Sequence, residues 1–206
     1  MPIKYENSTI LIRPYIFSEI IMVSGLWEPY VKSIVDKDIG ENDTVIDIGA
    51  NIGIYAIPLA KRVKKVIAVE PHPKTFEMLE KSIRLNNLKN IIPIKKAISN
   101  TGKKVLFNLS VRPMESGIAS SNEMDSTIEV DSIDLDSMLS TENKVNWLII
   151  DVEGLELSVL SGARNILRKF HPKILIEVQN YDKVKEMLIN EGYSIEHLSY
   201  KYYYAK

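Results

Sequence analysis

The stretch VIDIGANIGIYA, Val45 to Ala56, runs from an apolar strand-like segment through a glycine-punctuated turn into a helical pattern. Such a turn lets a ligand approach the backbone closely. The ligand decides between related folds. A dinucleotide fold would offer G-x-G-x-x-G, whose second glycine makes room for a pyrophosphate. The pattern here is instead D-x-G-x-N-x-G, formed by Asp47, Gly49, Asn51 and Gly53 with Ala50 between the first glycine and the asparagine.

Asp47 is the informative departure. A carboxylate at the strand end repels a pyrophosphate but favours an ammonium or sulfonium group. S-adenosylmethionine carries both cations and no phosphate. Glu70, which closes the second strand 21 positions after Gly49, stands where a carboxylate accepts hydrogen bonds from both ribose hydroxyls. That feature suits NAD and S-adenosylmethionine equally. The plainer alternative is that Asp47 and Glu70 cap the helices after them while the glycines only turn the chain. The glycine loop taken alone is balanced between these readings. With Asp47, Glu70 and the antiparallel ending described below, the cofactor reading is favoured.

From residue 45 onward, strand-length apolar runs alternate with helical patterns, the signature of βαβ units on a parallel sheet. Strands are expected at Thr44 to Ile48, Val66 to Val69, Ile91 to Ala97, Trp147 to Ile150 and Ile174 to Val178. Runs such as WLII and ILIEV do not alternate, as befits strands covered on both faces. Helices are expected at Tyr55 to Arg62, Lys74 to Asn86, Leu155 to Lys169 and Lys183 to Glu191. Phe76, Leu79 and Ile83 share a helical face, as do Leu160, Ala163 and Leu167. Pro73 stands at a helix start and Gly192 at a helix end. The ending GYSIEHLSYKYYYAK holds two short strand-like runs too close for a crossover helix, so they should pair antiparallel. The tyrosines of KYYYAK read as packing residues rather than a base-stacking strip.

Residues 1 to 44 read as a strand or hairpin followed by an amphipathic helix around Glu28 to Val35, flanking a single unit at 45–206. Residues 108 to 127 are rich in Ser, Asn and Glu, and read as a long mobile loop.

The second acidic motif is NWLIIDVEGLELSVLSGA. It places Asp151 at the end of a buried strand, then Glu153 and Gly154 in a turn. If that strand lies beside the Val45 strand, at the reversal of strand order, Asp151 and Asp47 emerge together at the crevice where open α/β sheets bind ligands. Methyl transfer needs acceptor, methyl and sulfur held collinear and one proton removed. Asp151 is the first candidate for base or acceptor-orienting group, and Glu153 the second. Glu156 sits in a first helical turn, where the macrodipole favours acids whatever the function. Glu177 ends the next strand and is within possible reach of an acceptor. A metal needs several converging oxygen ligands; Asp151 and Glu153 supply two and no third is evident, so no metal is expected. His72 follows Glu70 closely enough to border the adenosine, but as a lone turn histidine it is expected to be exposed and without a catalytic role; His171 and His197 have no partner pattern and are expected to be structural.

Composition narrows the partners. The 206 residues are 45% hydrophobic and 26% charged, a globular balance. A net charge of -1 gives no global field for phosphate backbones or anionic lipid, which counts against nucleic acid. The absence of cysteine excludes disulfides, thiolate nucleophiles and cysteine-bound zinc. The apolar run from Ile16 to Leu26 carries Glu19 and is too short to span a bilayer, and no basic leader with a cleavage site precedes it, so a soluble cytoplasmic protein with no membrane partner is expected.

VIDIGANIGIYA, VEPHP, IDLDSML, LIIDVEGLELSVLSGA and HPKILIEV, in this order and spacing, resemble the FkbM family of S-adenosylmethionine-dependent methyltransferases from about Trp27 to the last residue. The resemblance implies a Rossmann-like class I methyltransferase fold: a mostly parallel seven-stranded sheet with a C-terminal antiparallel hairpin and helices on both faces. It also implies that the Asp47 to Gly53 loop surrounds the methionine part, that Glu70 and Pro71 border the ribose, that Ala97 and Ile98 border the adenine, and that Asp151 lies near the reacting centre. One departure is Ile150, at a position where such proteins commonly carry lysine. The family is mostly associated with O-methylation of sugars and other secondary metabolites.

The expected activity is therefore methylation of a hydroxyl on a small molecule or glycan. The alternatives are an RNA methyltransferase, a module that binds the cofactor without catalysis, and an NAD oxidoreductase, whose mark would be a glycine-lined pyrophosphate cradle.

Overall fold

The computed structural model describes residues 1–108, 127–152 and 154–206. The loop expected at 108 to 127 lies outside the described residues except for its two ends, which pair as antiparallel strands Val105–Asn108 and Thr127–Val130.

One seven-stranded sheet organises the chain. Its strands are β1 (Thr44–Ile48), β2 (Lys65–Val69), β3 (Ile91–Ile94), β4 (Trp147–Ile150), β5 (Lys173–Glu177), β6 (Ile195–Ser199) and β7 (Tyr202–Ala205). The spatial order is β6-β7-β5-β4-β1-β2-β3. Strands β1 to β5 run parallel, and β7 joins β5 and β6 antiparallel. The terminal hairpin arises as expected, because the few residues between β6 and β7 permit only an antiparallel return. Every residue of β1 and β4 is buried, so these central strands need the continuous apolar runs seen in the sequence.

Eight helices are described: α1 (Phe17–Val23), α2 (Pro29–Asp38), α3 (Ala56–Ala60), α4 (Pro73–Leu85), α5 (Leu135–Met138), α6 (Glu156–Ser161), α7 (Arg164–Phe170) and α8 (Tyr181–Asn190). The sheet separates two cores. Val45, Ala68, Trp147, Ile149 and Leu175 face one, together with α2, α3, α4 and the N-terminal hairpin Pro2–Tyr5/Ser8–Leu11. Ile46, Ile48, Leu148, Ile150 and Ile174 face the other, with α5 to α8. The alternation that assigns these faces is the two-residue period of a strand. Residues before 44 share the first core, and the hairpin is tied to α4 by Thr9 N–H donating to Asn86 Oδ1 at 2.9 Å and Leu11 N–H donating to Ser82 Oγ at 3.0 Å.

Two expected elements are split. The helix expected from Leu155 to Lys169 breaks at Gly162 and Ala163. There the Gly162 carbonyl accepts from the Asp136 N–H at 2.8 Å, and the Asp136 carboxylate accepts from the Asn165 and Ile166 amides at 3.0 and 2.9 Å. A side chain from α5 thus satisfies orphan donors at the start of α7, making two helix ends cheaper than one continuous helix. Asp134 does the same for α5, accepting from the Ser137 amide at 2.8 Å. Both acids of the IDLDSML motif are therefore helix caps.

The strand expected from Ile91 to Ala97 also divides. The edge strand β3 stops at Ile94, after Pro93 has removed one ladder donor, and Ala97–Ile98 leaves the sheet to pair in parallel with Ser132–Ile133.

Candidate active site at the carboxyl edge of the sheet

Strand order reverses between β1 and β4, which are direct neighbours with Asp47 opposite Ile149. The crevice expected there is built by backbone contact. Gly49 has a φ of +88°, and a Cβ on it would fall 1.8 Å from the Asp151 carbonyl oxygen. Glycine is required by both the left-handed backbone and the approach of the next strand. The Gly49 and Ala50 amides both donate to the Val69 carbonyl at 2.9 Å, which binds the loop to β2.

Gly53 has a φ of +95°, and a Cβ would meet Ile57 and Leu79 at 2.6 and 2.8 Å, so the turn lies tight against α3 and α4. Between the glycines, Asn51 takes a φ of 51°. Its Oδ1 accepts from the Ile52 amide at 2.9 Å, the local bonding that lets asparagine tolerate this region.

Asp47 is 3% exposed. The amide of Ala56, at the start of α3, donates to its carboxylate, while burial and then the charge of Glu70 push the carboxyl up to about 7. The capping alternative thus holds for one oxygen. Among the described residues, Asp47 Oδ2 has no hydrogen-bond partner. A buried carboxylate oxygen in that state costs about 1–3 kcal/mol or more, and a donor or cation supplied from outside would relieve it.

Glu70 is 6% exposed. Its Oε2 accepts from the Asn51 amide at 2.9 Å and its Oε1 from the His72 amide at 2.8 Å. Burial nevertheless raises the carboxyl to about 7. Each oxygen keeps acceptor capacity beyond these single bonds, so Glu70 can hold the glycine loop and still receive a diol. Pro71 follows it and is half-buried.

His72 differs from expectation. It is buried, its Nδ1 accepts from the Thr75 amide at 3.3 Å as the N-cap of α4, and its ring meets Phe107 edge-on at 6.4 Å. Burial lowers its pKa. Preceding Pro73 at a helix start is the local signal for a cap. His171 stacks on Tyr193 at 4.2 Å and His197 Nε2 lies 3.0 Å from the Tyr200 carbonyl.

Asp151 is half-buried just past β4, its amide donating to the Ile48 carbonyl at 2.9 Å. Glu153 lies outside the described residues. Glu156 accepts from the Gly154 amide at 2.6 Å, folding its own turn as the structural reading held. Ala97 and Ile98 are both buried beyond the end of β3. Among the described residues, no group of three or more His, Cys, Asp or Glu is arranged to hold a metal ion.

A second set of groups on this edge carried no motif. Glu28, preceding α2, receives the Tyr55 hydroxyl at 2.5 Å and the Tyr202 hydroxyl, and Tyr202 also lies 3.3 Å from Glu177 Oε2. Burial raises Glu28 against these bonds. Tyr55 and Tyr202 are raised too, first by burial; the Asp151 charge also acts on both. Trp27-Glu28-Pro29 signals a helix start, but no sequence spacing ties position 28 to 55, 177 and 202.

The comparisons with known proteins bear on this edge. A family model described as Methyltransferase FkbM domain matches residues 47–199. The hexuronic acid methyltransferase AglP of Haloferax volcanii is 29% identical over 141 residues, covering 67% of this chain and 56% of that protein. A probable ribosomal RNA small subunit methyltransferase A of Methanosphaera stadtmanae is 45% identical over 60 residues, 29% of this chain and 22% of that protein. The crystal structure of methyltransferase FkbM from Methylobacillus flagellatus KT superposes with a TM-score of 0.60 at 18% identity, covering 82% of this chain and 44% of that one. The chain therefore spans less than two thirds of each of these proteins.

Proposed function

The chain belongs to the FkbM methyltransferase family, and on that premise we propose that it binds S-adenosylmethionine at the carboxyl edge of β1, β2 and β4 and methylates a hydroxyl of a small molecule or glycan. The observation that carries the reading is Asp47 Oδ2, a buried carboxylate oxygen lacking a hydrogen-bond partner among the described residues, at the switch point of the sheet. A cationic ligand is what such an oxygen accepts. When bound, the cofactor supplies an electrophilic methyl on a sulfonium. Asp47, Gly49, Ala50, Asn51 and Gly53 hold its methionine part. Glu70 and Pro71 take the ribose, and Ala97 and Ile98 border the adenine. Asp151 orients the acceptor. Glu153 is the second candidate for that role.

A hydroxyl on a sugar or other small acceptor is favoured by the AglP relative, named for hexuronic acid and matched over 67% of this chain, and by the net charge of -1, which gives no field for RNA. An RNA acceptor is the second reading, supported by the shorter match to a ribosomal RNA methyltransferase.

The test has two parts. Calorimetry should detect binding of S-adenosylmethionine and of its demethylated product but not of NAD; uptake of NAD alone would end the proposal. Incubation with methyl-labelled S-adenosylmethionine and a fractionated cell extract should then place label in a small-molecule or glycan pool. Label confined to RNA would transfer the assignment to the second reading.

A further inference from the structure

Resting on that methyl-transfer reading, we propose that Glu28 is the group that accepts the proton of the acceptor hydroxyl, held for the purpose by Tyr55, Tyr202 and Trp27. In the step, the acceptor O–H bond breaks with the proton passing to a Glu28 oxygen. The pair left on the acceptor oxygen forms the new bond to methyl, and the methyl–sulfur pair stays on sulfur as a thioether.

The placement argues for it. A glutamate just before a helix ordinarily turns its carboxylate to the first-turn amides. Glu28 makes no such cap bond, although its φ of 44° puts it in the left-handed region. Its carboxylate is instead aimed at side chains from two other parts of the fold, Tyr55 at the end of the glycine loop and Tyr202 at the start of β7, and at its neighbour Trp27. Three donors on a carboxylate with about four acceptor sites leave room for one more. Glu28, Tyr55, Tyr202, Glu177 and Asp151 are all half-buried rather than sealed, so the cluster keeps contact with solvent.

A phenol has one proton, so Tyr202 cannot donate fully to Glu28 and Glu177 together. Protonation of Glu28 would leave the Tyr202 hydroxyl free to turn its one donated hydrogen bond to Glu177.

The independent mark of a ligand is Asp47 Oδ2, which is buried, without a partner among the described residues, and within the electrostatic reach of Glu28. The mutual influence of Asp47 and Glu28 puts the glutamate near the oxygen proposed to meet the cofactor's cations. The groups acting on Glu28 are the donors Tyr55, Tyr202 and Trp27 and the acids Glu177 and Asp47, with Asp151 and Tyr5 close by.

The test needs no acceptor. Sinefungin carries an ammonium-bearing carbon where the cofactor has its methyl-sulfonium, and S-adenosylhomocysteine carries nothing there. Calorimetry on the wild type should show sinefungin binding about tenfold more tightly, as one charge-assisted hydrogen bond provides, with the preference growing as pH rises and Glu28 ionises. Glu28→Gln should lose that preference and keep its S-adenosylhomocysteine affinity. A preference absent from the wild type, or unchanged in the variant, overturns the assignment. If Glu28→Gln binds neither ligand because α2 has shifted, Tyr202→Phe decides. Loss of one donor to the charged form should move the onset of the preference to higher pH, and an unmoved onset overturns the proposal. A wild type that binds neither ligand would instead refute the cofactor reading itself.

Discussion

Gly49 and Asp151 meet backbone to backbone: the space a Cβ would need on the glycine is filled by the aspartate's carbonyl oxygen, 1.8 Å away. The two acidic motifs, about a hundred residues apart in sequence, are thereby locked into one edge.

Gly49→Ala should be the most damaging glycine-to-alanine change among the described residues. It combines a left-handed φ with a backbone clash that cannot be relieved by a rotamer. A loss of more than about 4 kcal/mol, or no folded protein, is expected from urea denaturation. A variant within 1 kcal/mol of the wild type, an outcome at the scale of ordinary surface changes, would refute the contact.

Stability of the ligand-free protein should fall as pH rises from about 4 to 7. Asp47 and Glu70 are both raised in the folded state to about 7, whereas in the unfolded chain they ionise near 4. Across that window the folded state holds more protons, so ∂ΔG/∂pH is negative for these groups and their effect levels off above the folded values. The total is on the order of a few kcal/mol because the two carboxyls are coupled. Denaturation midpoints of wild type and Asp47→Asn at pH 5 and 8 check it: the asparagine variant should lose less stability between them.

Cofactor affinity should move the other way. If Asp47 holds the sulfonium or ammonium as proposed, it does so only when the carboxylate is charged, so S-adenosylmethionine should bind more tightly at pH 8 than at pH 6. Near pH 6.5 its binding should release protons, visible as a buffer-dependent heat. Asp47→Asn should weaken binding by about tenfold or more and abolish the proton release.

Asp136→Ala isolates a structural acid from the functional ones. Its carboxylate caps α7 through the Asn165 and Ile166 amides, so removal should cost about 1–2 kcal/mol. Cofactor affinity should stay unchanged in the same preparation.

The central strands were legible because burial on both faces leaves an unbroken apolar run: Thr44 to Ile48 and Trp147 to Ile150 are found at the expected bounds. The family, the parallel sheet and its antiparallel ending could likewise be read from motif order and loop length. The break at Gly162 could not, since its cause is a carboxylate 26 positions earlier, at Asp136. His72 was misjudged as exposed; it is buried, and its ring meets Phe107, on a strand outside the main sheet that no local pattern ties to it. The convergence of Glu28 and Tyr202 joins residues 174 positions apart. Local periodicity carries no trace of such a pair, whereas Asp47, Glu70 and Asp151 announce themselves by ending strands.

Glu70 has two obligations: one of its oxygens anchors the Asn51 amide inside the glycine turn and the other the His72 amide ahead of α4. If Glu70 also receives the ribose, as proposed, replacing it to suit a different nucleoside would slacken the loop at Asn51 too. On the proposed reading, altering the donor half of the reaction at Glu70 therefore carries a cost in loop order as well as in recognition.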